Sequence, residues 1–197
     1  MNSLLIVNAN VAICPAGTEI TRDSSTVVVG PAVAPDLPAS TGDYAISAPW
    51  ERLGRIGDGA ETVSTDTTTI NACEDNGLWS EEPVDLSVTP TFRLRFVDVS
   101  TRVFQFMFGL TDGTLDNADG GQPWTAPNGM KTWLYIRLND HRATGNKRLL
   151  HGRIFGTLRL TTPPNIAKEI ATAEFEFTPD VGVALNSIVP LILPPSS

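Results

Sequence analysis

The apolar pattern changes period once, in the stretch TPTFRLRFVDVSTRVFQFMFGL. Phe92, Leu94 and Phe96 alternate with Arg93 and Arg95, the two-residue period of a half-buried strand. From Val99 onward the apolar set is Val99, Val103, Phe106, Met107 and Leu110, which is the spacing of one helix face and predicts a helix over about 99–109. Asp98 or Ser100 can cap its start, and Gly109 suits a left-handed exit. Phe104 and Phe108 widen the apolar surface beyond one stripe, so this helix is expected to cover its own sheet and also meet a neighbouring subunit.

Every other strong signal is a strand. Leu4–Ile13 reads as the first, ended by Pro15-Ala16-Gly17, and Val27–Val29 is the only strand signal in a Pro/Ala/Ser/Thr-rich segment expected to form an N-terminal arm over about 15–43. Tyr44–Ile56 and Glu61–Ala72 are two extended runs joined by Gly57-Asp58-Gly59, and predict a projecting hairpin over about 44–72. Its second run, ETVSTDTTTINA, is polar on both faces apart from Val63 and Ile70, so no private core can hold it. Asp75-Asn76-Gly77 is a further turn signal, followed by a loop carrying Trp79 and Pro83 before the Thr89–Phe96 strand. After the helix comes a long loop over about 111–129.

Lys131–Leu138 is then a strand with Trp133 and Tyr135 on one side and Leu134, Ile136 and Leu138 on the other. Lys147–Thr161 is a long strand interrupted by Gly152 and Gly156, where bends, bulges or close backbone approach are expected. Ala171–Phe177 alternates Ala173, Phe175 and Phe177 inward with Glu174 and Glu176 outward, and Val183–Leu193 is a last apolar segment. The expected fold is mainly β: two packed antiparallel sheets, sandwich or barrel-like, with one flanking helix, in a single domain with long arms and loops.

Composition supports a packed domain, because 41% of the 197 residues are hydrophobic and only 18% charged. The net charge of −8 argues against general DNA wrapping. It is also uneven: residues 1–90 carry −10, 91–136 balance, 137–159 carry +5 and 160–197 carry −3. A chain with separate acidic and basic parts can attract copies of itself head to tail. Cys14 and Cys73 form no disulfide framework and are expected to be free thiols. No apolar run approaches the ~20 residues that span a bilayer, and MNSLLIVNANVAI lacks the basic start of a signal peptide. The chain is expected to be soluble and made in a cytoplasm.

Candidate chemistry is sparse. His141 and His151 have no serine or cysteine nearby in a nucleophile motif. Asp112, Asp116, Asn117 and Asp119 are oxygen ligands on a glycine-rich loop of the kind Ca²⁺ accepts, but counted from Asp112 the required glycine is Asn117 and the twelfth residue is Pro123. A solvated acidic loop is the plainer reading. Glu81-Glu82 and Glu174/Glu176 lack the apolar cleft glycosidase work needs, and Gly54–Gly59 lacks the spacing of a phosphate-binding loop. The basic run Arg137–Arg159 has no aromatic platform for RNA. Trp124 offers a stacking surface for a sugar, the basis of an alternative reading as a carbohydrate-binding module. No catalytic residue, cofactor or metal is assigned.

The order of elements resembles the major tail tube proteins of long-tailed bacteriophages. TPTFRLRFVDVSTRVFQFMFGLT is similar to that family's strand-then-helix segment, GNKRLLHGRIFGTLRL to its later strand and IATAEFEFTPDVG to its near-terminal strand. The resemblance implies a virion protein with no enzymatic activity, two β-sheets flanked by a helix, assembled into hexameric rings that stack into a tube for the genome. It implies partners that are further copies of the chain, other tail proteins and DNA in transit, with no membrane. Phe104, Phe108, Arg148 and Arg153 then become interface candidates, and Glu61 and Asp66 candidates for an acidic lumen. A tail terminator or a capsid decoration protein is the alternative within the same class.

Overall fold

The computed structural model describes residues 6–38, 46–73, 79–107, 129–140, 147–164 and 172–190. It is mainly β, with strands β1 (Ile6–Pro15), β2 (Glu19–Arg22), β3 (Ser25–Val28), β4 (Arg55–Cys73), β5 (Trp79–Val97), β6 (Met130–Asp140), β7 (Lys147–Thr162), β8 (Thr172–Pro179) and β9 (Ser187–Pro190), and one helix, α1 (Thr101–Met107). All but β2 and β3 belong to one antiparallel sheet in the order β1-β6-β7-β8-β5-β4, with β9 pairing β7 beyond the end of β8. The barrel-like form of the expected architecture is the one realised: the sheet curls until Ile13 on β1 meets Glu51, just before β4, through two backbone hydrogen bonds of 2.8 Å. The two packed layers are the two sides of this one curled sheet.

The alternating runs supply its interior. Leu94 and Phe96 from β5, Phe175 and Phe177 from β8, Ile154 and Leu158 from β7, Leu134 from β6 and Ile13 from β1 form one buried cluster. Helix α1 closes it with Val103 and Phe106. Phe175 is the hinge of this packing, edge-on to Phe96 at 5.8 Å and to Phe106 at 5.3 Å. The helix is shorter than expected at its start. Asp98 has φ of 51° and pairs with Arg55 at 3.0 Å, while the Ser100 amide donates to Leu53 O at 2.7 Å. Neither side chain caps the helix: the Ser100 hydroxyl is buried without a hydrogen-bond partner. The tie to Leu53 fixes the entry instead, and Arg102 reinforces it with an ion pair to Glu51 at 3.3 Å.

A second buried cluster lies on the opposite face of β1, β6 and β7. Ala12, Cys14, Trp133, Tyr135 and Phe155 pack there against Val29, Ala34 and Trp50. The segment expected to be an arm is therefore, through Pro38, a cover on the protein's own sheet. Its β2–β3 hairpin turns at Asp23-Ser24, both at positive φ, the geometry of the mirror-image turns that match strand twist. Polar side chains hold the cover down and tie it together. Trp133 Nε1 donates to Gly30 O at 3.0 Å, Trp50 Nε1 to Asp36 O at 2.6 Å, and Arg22 to Ala34 O at 2.7 Å. The apolar residues on both sides of β6 in the sequence correspond to these two clusters.

The expected turn at Gly57-Asp58-Gly59 is corrected by the structure. β4 runs straight through it, with Ile56 opposite Phe96 and Asp58 opposite Arg95, so Gly57 is the extra residue of a bulge. Long-range pairing with β5 overrides the local turn signal. The loop expected at Trp79 and Pro83 is likewise strand, because β5 starts at Trp79. Pro83 and Pro90 fit there because no strand pairs with the second edge of β5 among the described residues until Phe92 meets Phe177.

The expected close approach at Gly152 and Gly156 is observed. A Cβ on Gly152 would fall 2.2 Å from Ser187 O, and one on Gly156 2.3 Å from Thr178 O and 2.7 Å from the Phe177 ring. Between β8 and β9 the chain leaves β7 for residues 180–186, and Asn186 closes the gap. Its Oδ1 accepts the Phe155 amide at 2.8 Å and its Nδ2 donates to Asp180 O at 3.1 Å. Asn186→Ala should cost roughly 1–3 kcal/mol, by leaving a backbone donor and acceptor unpaired. Asn186→Asp, which keeps the acceptor, should cost less; urea unfolding of the two variants against wild type checks the order.

Candidate functional site

Beyond the Phe92–Phe177 pair, β4 and β5 leave the body of the sheet and pair only with each other among the described residues. From Thr62–Thr91 to Cys73–Trp79 this makes twelve rungs, with one bulge between Asp66 and Thr67. At ~3.4 Å per residue the ribbon extends about 37 Å. The sequence of residues 58–91 holds eight carboxylates and no Lys or Arg, a net −8, while the rest of the chain balances; of these, Asp66, Glu81, Glu82 and Asp85 belong to the twelve rungs. A lone two-stranded ribbon is marginal in water, and a long edge that pairs with no other described strand invites one. Asp66 is on this ribbon, in register with Ser87, and Glu61 is at its foot, in register with Phe92.

At the foot of the ribbon the other face of the sheet is largely exposed among the described residues, with Gly129 beside the Arg159 side chain. Arg159, Glu176 and Arg93 stand in one cross-strand row over β7, β8 and β5, and Glu174 and Arg95 in the next. Arg93, Arg95, Arg159 and Glu174 are exposed and Glu176 half-buried. These residues alternate with the buried Leu94, Phe96, Ala173, Phe175, Phe177 and Leu158 of the interior cluster. The ion pairs among described side chains are Arg22–Asp36, Arg55–Asp98, Arg102–Glu51 and Lys131–Asp180, and none engages these three arginines.

The remaining candidates are scattered. Arg153 holds its own chain's cover: its guanidinium donates to Pro35 O and lies 5.8 Å over the Trp133 ring, where burial lowers its pKa, with Asp36 opposing and Arg22 adding to the shift. Arg148 pairs with Asn139 across β6 and β7, and Phe104 is in α1; their side chains lie outside the described residues. So do Phe108, Asp112, Asp116, Asp119, Trp124 and His141. Among the described residues no group of three His, Cys, Asp or Glu side chains is placed to hold a metal ion, and no helix is long and apolar enough to cross a membrane. Cys14 is a free, buried thiol whose pKa is pushed up to about 11, chiefly by burial. A cleft of about 410 Å³ beside Trp50 and Ile20 carries the carboxylates of Glu19 and Asp36 and no histidine, cysteine or lysine.

The charge on the ribbon and its free edges were only partly readable beforehand. The acidity of residues 1–90 was visible in the sequence, but its concentration on one projection requires knowing that β5 begins at Trp79 and that β8 stops at its foot.

No protein-family model matches the chain, and no curated protein matches it. Solved structures do resemble it. A chain of the anti-feeding prophage cap, described as the tube terminating cap, aligns with 79% of this chain and 100% of its own at 15% identity and a TM-score of 0.37. A chain of the PVC sheath–tube complex, an extracellular contractile injection system in the extended state, aligns with 76% and 94% at 15% identity and 0.35. A chain of the anti-feeding prophage baseplate aligns with 98% and 100% at 9% identity and 0.40. These likenesses are distant in both sequence and shape.

Proposed function

We propose that this protein is a structural subunit of a bacteriophage tail tube, whose copies join through the β4–β5 ribbon into rings that stack into a conduit for DNA. The observation that carries this reading is the ribbon: twelve rungs whose two long edges pair with no other described strand, within a stretch, residues 58–91, of net charge −8. Its edges are different, since one belongs to β4 and the other to β5. Pairing β4 of one copy with β5 of the next is a head-to-tail contact that stays antiparallel throughout and can close on itself. Closure removes every open edge at once, which is how barrels avoid uncontrolled aggregation. The carboxylates would then face water and phosphates, so that DNA slides past without adhering. The resemblance of three sequence stretches to tail tube proteins supports the same assignment. Other tail proteins would meet the ends of the tube.

Electron microscopy of the purified protein tests this directly. Rings or tubes are expected, and rings that never stack would make the protein a terminator rather than a tube subunit. A species that stays monomeric at high concentration in every salt condition would exclude both. Assembly should also strengthen with salt, because neighbouring acidic ribbons repel. Mass photometry at about 0.01 M salt, where the Debye length is ~30 Å, and near 1 M, where it is ~3 Å, should show the shift toward larger species. Replacing residues 68–84 by an Asn-Gly turn removes the outer rungs while leaving the body intact, and should give folded monomers.

A further inference from the structure

We propose that Pro83 and Pro90 guard the outer edge of β5 and act as a brake on the joining of single copies there. This rests on the ring reading above. Along an antiparallel pair, residues whose amides face the partner strand alternate with residues whose amides face away. One hydrogen bond fixes that phase at the foot of the ribbon. The Asp180 amide donates to Phe155 O at 2.9 Å, so Asp180 faces β7, and the preceding Pro179 faces β5. Phe177, two residues earlier, faces β5 as well, and its partner there is Phe92. Phe92 therefore turns its amide toward β8, and Pro90, two residues before it, has the same phase.

The pairing of β5 with β8 stops at this point. Its next position of that phase would set Pro90 opposite Pro179, and neither has an N–H to donate. Two prolines thus release the ribbon from the body of the sheet.

Pro83 obeys the same geometry. It lies seven residues from Pro90, an odd number that in a regular strand would turn its nitrogen toward β4. The bulge corrects this. Ser87 pairs with Asp66 and Asp85 with Thr67, which leaves Leu86 as the extra residue of β5. On β4 the partners of the two prolines, Val63 and Thr69, are six residues apart, so both prolines share one phase. Both nitrogens face the outer edge, the side on which a strand tolerates proline. From Pro90 to Trp79 six residues of β5 have this phase, and two of them cannot donate. The six residues opposite them on β4 all carry an N–H.

Proline on an exposed edge defends against uncontrolled pairing. A copy arriving through its β4 edge finds every acceptor on β5 but lacks two of the bonds that β5 would return. A single joint is weakened in this way, whereas a closed ring holds all of its joints at once. The prolines disfavour open pairs and chains and leave ring closure as the stable outcome.

The double variant Pro83→Thr/Pro90→Thr tests this. Each substitution restores one donor to the outer edge, and two added bonds per joint should lower the concentration at which rings appear by at least about tenfold. Sedimentation velocity over a concentration series reads the threshold, with microscopy to identify rings. Pro83→Thr alone, out on the ribbon and away from the body, should shift it less and in the same direction. Amide hydrogen exchange checks the phase. The amides introduced at positions 83 and 90 should exchange without protection in unassembled protein and become protected in rings. Protection in the unassembled variant would mean that they bond β4, and overturns the proposal. A threshold within about threefold of the unsubstituted protein's also overturns it, and leaves the ring reading intact. Absence of rings from both proteins overturns the two readings together.

Discussion

Phe175→Ala should cost about 3–5 kcal/mol, the usual range for removing a fully buried aromatic ring. That loss is comparable to the whole stability of many domains, ~5–15 kcal/mol. Phe175 is 1% exposed and joins three elements that are distant in sequence: its own strand β8, Phe96 on β5 and Phe106 on α1. The two edge-on ring contacts add to simple burial, at about 0.5–1.5 kcal/mol each. Phe106 and Phe96 would line the cavity left behind, and neither can turn into it without giving up its contact with the rest of the cluster. Far-ultraviolet circular dichroism during urea unfolding should show a midpoint displaced far below wild type, or no folded baseline. Phe175→Leu keeps most of the apolar volume and should retain a cooperative transition. A Phe175→Ala variant as stable as wild type would mean that the interior cluster is not the centre of the fold.

Trp133→Ala should cost a similar ~3–5 kcal/mol, but with a different signature. Trp133 is fully buried in the second cluster, 5.3 Å from the Phe155 ring, under the Arg153 guanidinium and hydrogen-bonded to Gly30 O. Its removal withdraws the surface on which the cover segment rests and leaves a backbone carbonyl without its donor. The interior cluster is untouched. Limited proteolysis should therefore cut within residues 16–38 before the sheet unfolds, whereas Phe175→Ala should open all sites together. Trp133→Phe keeps a ring against Phe155 and loses the hydrogen bond, which costs about 1 kcal/mol and should leave the cover mostly protected. Simultaneous cleavage across the chain in Trp133→Ala would show that cover and sheet unfold as one unit.

These two residues also mark how far the sequence reaches. The alternation through Phe92, Leu94 and Phe96, and again through Ala173, Phe175 and Phe177, establishes strands and their inward faces, because a two-residue period has only one arrangement that buries its apolar members. The apolar residues on both sides of β6 required cover on both faces. Their supplier was hidden, since the cover buries only a few residues such as Val29 and Ala34 amid Pro, Ser and Thr, too few to set a period. Arg153, an interface candidate by resemblance, holds its own cover for the same reason: its stacking on Trp133 exists only once the cover brings Pro35 over the sheet.

The candidate site divides the same way. Polarity, acidity and lack of catalytic motifs were properties of residue types and could be read along the chain. The hairpin was placed one segment too early, because Gly57-Asp58-Gly59 has the chemistry of a turn and only the pairing of Ile56 with Phe96 and Asp58 with Arg95 makes it a bulge within a strand. The sequence by itself determined that this is a β protein with eight more acids than bases and one short helix's worth of helical period. The tertiary structure decided that much of that excess runs along a ribbon pairing with no other described strand, and that Arg93, Arg95 and Arg159 stand at its foot. Charge is counted residue by residue, but its concentration in space depends on where β8 ends beside β5, a contact between segments some eighty residues apart.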